Sequence, residues 1–128
     1  MSFHEYSSDY LPACPVCEIY LGPVGEEPTL GPLKAILDTG SDMAIIPTRY
    51  LDQIGAKRLS QRRARSVWGD FRPVELYAVS FAMGSLRFKA LRVLADDVSD
   101  EIIVGRFVLN RLKIVLDGPA AMLEIVAA

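Results

Sequence analysis

The sequence predicts an all-β domain with one or two short helices. Three observations support that class: short apolar runs alternating with polar residues, glycines and prolines spaced between them, and a long alternating stretch that folds back on Gly84-Ser85. With 128 residues, 51% of them hydrophobic and 23% charged, the chain has material for one compact core and little for a second. A formal net charge of −2 with a single histidine does not favour a nucleic-acid binder or a polybasic membrane protein. The apolar runs fall far short of the roughly 20 residues needed to cross a bilayer. No charged-then-apolar leader opens the chain, so a soluble cytoplasmic protein is expected.

Residues 1–13 are polar and aromatic without a period and read as a loose N-terminal arm, leaving 14–128 as the domain. "VCEIYLG" from Val16 alternates as a strand, and "GPVGEEPTLGP" has the composition of a loop. "LKAILD" is a buried strand ending at Asp38, and "MAIIP" is a short strand stopped by Pro47. Thr48 is positioned to cap a helix that places Tyr50, Leu51 and Ile54 on one side and ends near Gly55.

The basic run that follows, Lys57, Arg58, Arg62, Arg63 and Arg65, reads as a solvated face or loop. Its alternative role, binding nucleic acid or another acidic partner, predicts salt-sensitive association. "VELYAVSFAMGSLRFKALRVLA" is a long hairpin, "EIIVGRFVLNRL" breaks at Gly105 into a helical turn, and "KIVLDGPAAMLEIV" is a closing pair of strands around Asp117-Gly118-Pro119.

Cys14 and Cys17 form one CPVC. It can be read as half a zinc site, a redox pair, or two small residues on a strand. Zinc requires four ligands and the only histidine, His4, lies in the arm, so the plain reading is preferred and no metal is expected.

The chemistry concentrates in "AILDTGSDMAIIP". Asp38 follows apolar residues, so its carboxylate emerges from a packed strand; Thr39 and Ser41 supply hydroxyls, and Gly40 permits close backbone approach. A carboxylate held this way can act as a general base on water, provided a second group supplies the acid. The plainer alternative is a turn in which Asp38 and Ser41 only cap backbone groups. Context favours the chemical reading, because a second element, Ile103-Val104-Gly105, recurs near the C-terminus with a short helix behind it.

With this ordered pair of motifs the sequence resembles the retropepsin-like aspartic proteases, single-domain relatives of pepsin that include the retroviral enzymes. The resemblance spans most of the chain, from "EIYLG" to "EIIVGRFVLNRLKIVLDG". It implies a closed β-barrel of the acid-protease half-domain type with a flap hairpin. It further implies that Asp38 is the catalytic carboxylate, that Thr39 supports the active-site loop of a partner subunit, that Gly40 shapes the loop, and that Ser41 hydrogen-bonds near the carboxylate. One chain supplies one aspartate, so the implied active species is a homodimer cutting extended, hydrophobic peptide segments without cofactor or metal. Two carboxylates about 3 Å apart share one proton: the ionised one activates water and the protonated one polarises the scissile carbonyl.

The resemblance places the flap around "SVWGDFRPVELY", with Trp68, Gly69, Asp70 and Phe71 at its tip, Trp68 or Phe71 covering the substrate; the alternative packs Trp68 on the core. The sequence departs from the retroviral pattern in having Ser41 where many viral enzymes have alanine, in a tip that is not glycine-rich, and in Arg106 and Asn110 after the glycine. "AMLEIVAA" is apolar enough either to join an intersubunit sheet or to complete its own subunit's core. Two rival functions are a catalytically inactive peptide-binding module of the same fold and a zinc or redox protein built on the CPVC.

Overall fold

The computed structural model describes residues 2–66 and 68–127. Its elements in chain order are β1 (Ser2–Glu5), β2 (Val16–Gly22), β3 (Leu30–Leu37), β4 (Ala44–Pro47), α1 (Thr48–Gln53), β5 (Lys57–Arg65), β6 (Phe71–Met83), β7 (Leu86–Asp96), β8 (Ile102–Val104), α2 (Arg106–Leu109), β9 (Lys113–Asp117) and β10 (Met122–Ala127). Strands β2-β3-β8-β4-β7-β6 run side by side, and β6 also pairs with β2, which closes six strands into a barrel. The all-β expectation with two short helices holds.

The barrel closes where β2 pairs with β6, from Tyr20↔Ala82 to Gly22↔Ser80, and inward side chains of its strands fill it. Ile19 and Leu21 of β2, Ile46 of β4, Val79 and Phe81 of β6, Val93 of β7 and Val104 of β8 are all fully buried. Phe81 meets Phe88 edge-on, ring centroids 6.0 Å apart. No helix among the described residues is long and apolar enough to cross a membrane.

Strand β5 hangs outside the ring and pairs only with the first half of β6, from Lys57↔Ala78 to Arg65↔Phe71. The basic run read as a solvated face or loop is therefore a solvated strand. Every one of its residues is exposed or half-exposed, because an arm outside the barrel has no buried face to impose apolar alternation. The long hairpin turns at Gly84, whose φ of +59° the turn requires.

Residues 2–5 are not a loose arm. They form β1, antiparallel to β10, which also pairs with β9. The inward positions of β1 are Ser2 and His4 instead of aliphatic residues, so the strand carries no hydrophobic period to read. Leu123 and Ile125 of β10 are buried in the chain's own core, while β9 stays mostly exposed. At α1, Pro47 occupies the cap position and Thr48 is the first helical residue; no side chain caps the helix.

Cys14 and Cys17 are both free. Cys17 is buried on β2, with its sulfur 3.9 Å from His4 Nε2, and burial pushes its thiol up to about 11. Among the described residues no group of three potential ligands is placed to hold a metal. Iodoacetamide at pH 8 is expected to label only Cys14 in the native protein and both cysteines after denaturation, read by mass spectrometry; rapid double labelling of native protein would show an accessible Cys17.

Ser80 is the one buried side chain among the described residues whose hydroxyl has no partner. It faces Gly22, where an added Cβ would come within 2.7 Å of Ser80 Oγ and 2.9 Å of the Glu27 carbonyl oxygen. Ser80→Ala removes an unsatisfied hydroxyl and is expected to stabilise the fold by roughly 1 kcal/mol in urea unfolding. Gly22→Ala is expected to destabilise it, because the backbone contact to Glu27 persists whatever occupies position 80.

Candidate active site

The loop after β3 is built by three strands. β8 runs parallel to β3 (Leu37↔Val104) and antiparallel to β4 (Ile45↔Ile103), so it threads between the two strands that flank residues 38–43. Asp38 N donates to Val104 O at 3.0 Å, fixing the end of β3 on the Ile103-Val104-Gly105 element. The two motifs, 65 positions apart in the chain, meet through this bond.

Within the loop, Gly40 N donates to Asp38 Oδ1 at 2.8 Å and Ser41 N donates to Asp38 O at 3.2 Å. The carboxylate is thereby oriented while it stays exposed. Ser41 Oγ donates to Met43 O at 2.7 Å, so its hydroxyl is spent on the backbone of the loop that carries Asp38. Thr39 is exposed, and its carbonyl accepts a hydrogen bond from Arg106 Nη1 at 2.6 Å.

Arg106 is a residue whose role the sequence did not disclose. Its Nη2 is ion-paired with Asp42, while its backbone N–H donates to Ser41 O at 2.8 Å and the next amide, Phe107 N, donates to Asp42 O at 3.0 Å. The start of α2 thus clamps residues 39–42 with two backbone and two guanidinium contacts. The only sequence signal was an arginine directly after the glycine of the second motif. Gly105 itself cannot carry a side chain, since a Cβ there would lie 2.5 Å from Met43 O and 2.7 Å from Ser41 O.

Gly40, Ser41 and Met43 form one wall of a groove of about 1000 Å³; Phe107 closes one side, and β5, β6 and β7 form the rest. Hairpin β5–β6 overhangs this groove as an arm outside the barrel. At its tip Ser66 N donates to Asp70 O at 2.8 Å, Gly69 N donates to Ser66 O at 3.0 Å, and Gly69 adopts a φ of +91°. Ser66 Oγ bonds Asp70 Oδ1 and Arg72 Nε lies 3.3 Å from Asp70 Oδ2; these two contacts hold the Asp70 carboxyl below its ordinary range.

Of the four tip residues, Phe71 lines the groove, Gly69 and Asp70 build the turn, and Trp68 is 88% exposed. Trp68 does not pack on the core. Part of the sequence segment proposed for the flap, Val67, lies outside the described residues, as does the last residue of "AMLEIVAA".

A family model for aspartyl proteases matches residues 25–115, which hold both motifs and the overhanging hairpin. The chain belongs to the aspartyl protease family. Its fold is similar to that of a retropepsin-like aspartic protease from Rickettsia conorii, with a TM-score of 0.68 at 14% identity, covering 97% of this chain and 88% of that one. It is also similar to the EIAV protease solved with the inhibitor HBY-793, with a TM-score of 0.51 at 22% identity, covering 76% and 86% of the two chains. No curated protein matches the sequence. The fold is thus retropepsin-like, as the paired motifs implied.

Proposed function

We propose that this protein is an aspartic endopeptidase whose active form is a homodimer, with Asp38 of each chain forming the catalytic dyad. The observation that carries this reading is an exposed carboxylate held by its own loop amide, next to a long groove under an overhanging hairpin. Each chain brings one such carboxylate, and acid-base hydrolysis of an amide requires two groups in different protonation states.

In this reading an extended peptide lies between the Gly40–Met43 wall and the β5–β6 hairpin and pairs with the flap backbone as an added strand. The ionised Asp38 removes a proton from water. The protonated Asp38 of the second chain donates to the carbonyl oxygen of the scissile bond, and the proton taken from water passes on to the departing amine. Gly40 N, bonded to Asp38 Oδ1, restricts the rotation of the carboxylate. Thr39 would face the second chain's loop.

Two features support self-association. The three-stranded sheet β1-β10-β9 leaves β1 and β9 as edges, and β9 exposes Val115 (44%) and Leu116 (55%). Unpaired edges bearing apolar side chains call for a cover, which a second copy provides.

Cleavage of a mixed peptide library is expected to rise more than linearly with protein concentration below the dimer dissociation constant and to be fastest at acidic to mildly acidic pH. Cleavage strictly proportional to concentration by a protein that sediments as a monomer would overturn the dyad. If a demonstrably dimeric protein cleaves nothing, the inactive peptide-binding reading takes its place.

A further inference from the structure

The groove is walled by apolar side chains but carries four arginines, Arg62, Arg63, Arg65 and Arg92. Their placement follows from strand register. Arg62 pairs with Val74, Leu76 pairs with Leu94, and Arg92 lies two residues from Leu94, so Arg62, Val74, Leu76, Leu94 and Arg92 share one face of the sheet. Val93 of β7, next to both Arg92 and Leu94, is fully buried and points the other way into the barrel. Arg63 lies over the Phe71 ring, 5.3 Å from its centroid, and both line the groove.

These four arginines differ from the others around them. Arg49, Arg58, Arg72 and Arg106 each have a carboxylate partner. Among the described residues Arg62, Arg63, Arg65 and Arg92 have none; Arg87 and Arg111 also lack one, but Arg87 bonds backbone carbonyls, Arg111 lies over Phe88, and neither lines the groove. The one acidic residue lining the groove, Asp42, is already paired with Arg106. The whole chain is slightly acidic, so this local excess of positive charge does not come from overall composition.

We propose that the groove selects peptide segments bearing acidic side chains beside an apolar stretch, with Arg62 and Arg92 as specificity-determining residues and Arg63 and Arg65 at the rim. The proposal rests on the reading of the groove as the peptide site and names its substrate class. An extended peptide laid against Leu76, Leu94 and Phe107 removes water from the neighbouring guanidinium groups. A carboxylate in reach restores their hydrogen bonds in bidentate geometry, whereas a glutamine restores them only in part and a lysine repels them. A nucleic-acid surface would instead spread its cations along an open face tracking the phosphates; here they gather on one apolar-walled groove.

The test measures binding on the Asp38→Asn protein, where hydrolysis does not interfere, by fluorescence anisotropy. Labelled ten-residue peptides with an apolar centre carry Glu, Gln or Lys at the same flanking positions. The Glu peptide is expected to bind at least about ten-fold tighter than the Gln peptide, with the Lys peptide weakest. The double substitution Arg62→Gln with Arg92→Gln is expected to erase most of that preference, and the Lys versions of both positions to retain part of it. Equal binding of Glu and Gln peptides overturns the proposal, even if the wild type cleaves both and so upholds the peptidase reading. A wild type that cleaves none of them while the Glu preference persists leaves the groove assignment standing and removes the peptidase reading. Displacement of the Glu peptide by an oligothymidylate of equal charge at a lower concentration overturns the proposal in favour of nucleic acid.

Discussion

Asp38→Asn is expected to lower kcat/KM for peptide cleavage by at least about 10⁴-fold, with little change in thermal unfolding. The size of the effect follows from symmetry. In a homodimer one substitution removes both carboxylates, so the general base and the general acid disappear together. Stability is spared because the Asp38 side chain is exposed and its only hydrogen bond among the described residues is from the Gly40 amide, for which an asparagine oxygen is also an acceptor. A variant that keeps a tenth of wild-type activity would place the chemistry elsewhere.

Mixing gives a sharper form of the same experiment. When equal amounts of wild-type and Asp38→Asn chains are unfolded together and refolded, random pairing leaves about a quarter of the dimers with two aspartates. If hydrolysis needs both carboxylates, activity falls to that quarter of the value for the same total amount of wild type. If each chain acts alone, activity falls only to about half. The ratio depends on neither the substrate nor the absolute rate.

Much of the barrel was legible because its strands obey local rules. β2 and part of β7 bury one alternating face, β4 and the second half of β6 are short continuous buried runs, and they end at glycine, proline or a tight turn, which are features a sequence displays. Elements outside the barrel escaped the same reading. β1 is held by backbone pairing to β10 and presents Ser2 and His4 inward, while β5 is exposed along nearly its whole length. Neither has a hydrophobic period, because neither has an apolar face to bury.

The candidate site divides in the same way. Asp38, Gly40 and the Ile103-Val104-Gly105 element stand out as motifs, and the structure brings them into contact through Asp38 N and Val104 O. The contributions of Arg106 and Arg92 depend on non-local geometry: Arg106 reaches Thr39 and Asp42 across more than 60 positions, and Arg92 reaches the groove through the register of β6 with β7. An arginine's partners are set by topology, and one sequence does not print topology.

Gly105→Ala carries the second large expected effect, a loss of about 2–3 kcal/mol in urea unfolding together with a loss of activity beyond what the unfolded fraction explains. Backbone strain is not the reason. Gly105 has φ −97° and ψ −171°, an extended conformation open to any residue. The cost is steric: the new methyl would lie 2.5 Å from Met43 O, 2.7 Å from Ser41 O and 2.8 Å from the Met43 carbonyl carbon, all backbone atoms with no rotamer to escape into. Relief requires β8 and the loop at 41–43 to separate. That movement lengthens the bonds from Arg106 N to Ser41 O and from Phe107 N to Asp42 O, which fix the loop carrying Asp38. Gly118→Ala is the control, because no atom lies within 4 Å of a Cβ there; its stability should stay within about 0.5 kcal/mol of wild type. If Gly105→Ala unfolds like that control and cleaves peptides at the wild-type rate, the contact between the two motifs does not hold the catalytic loop.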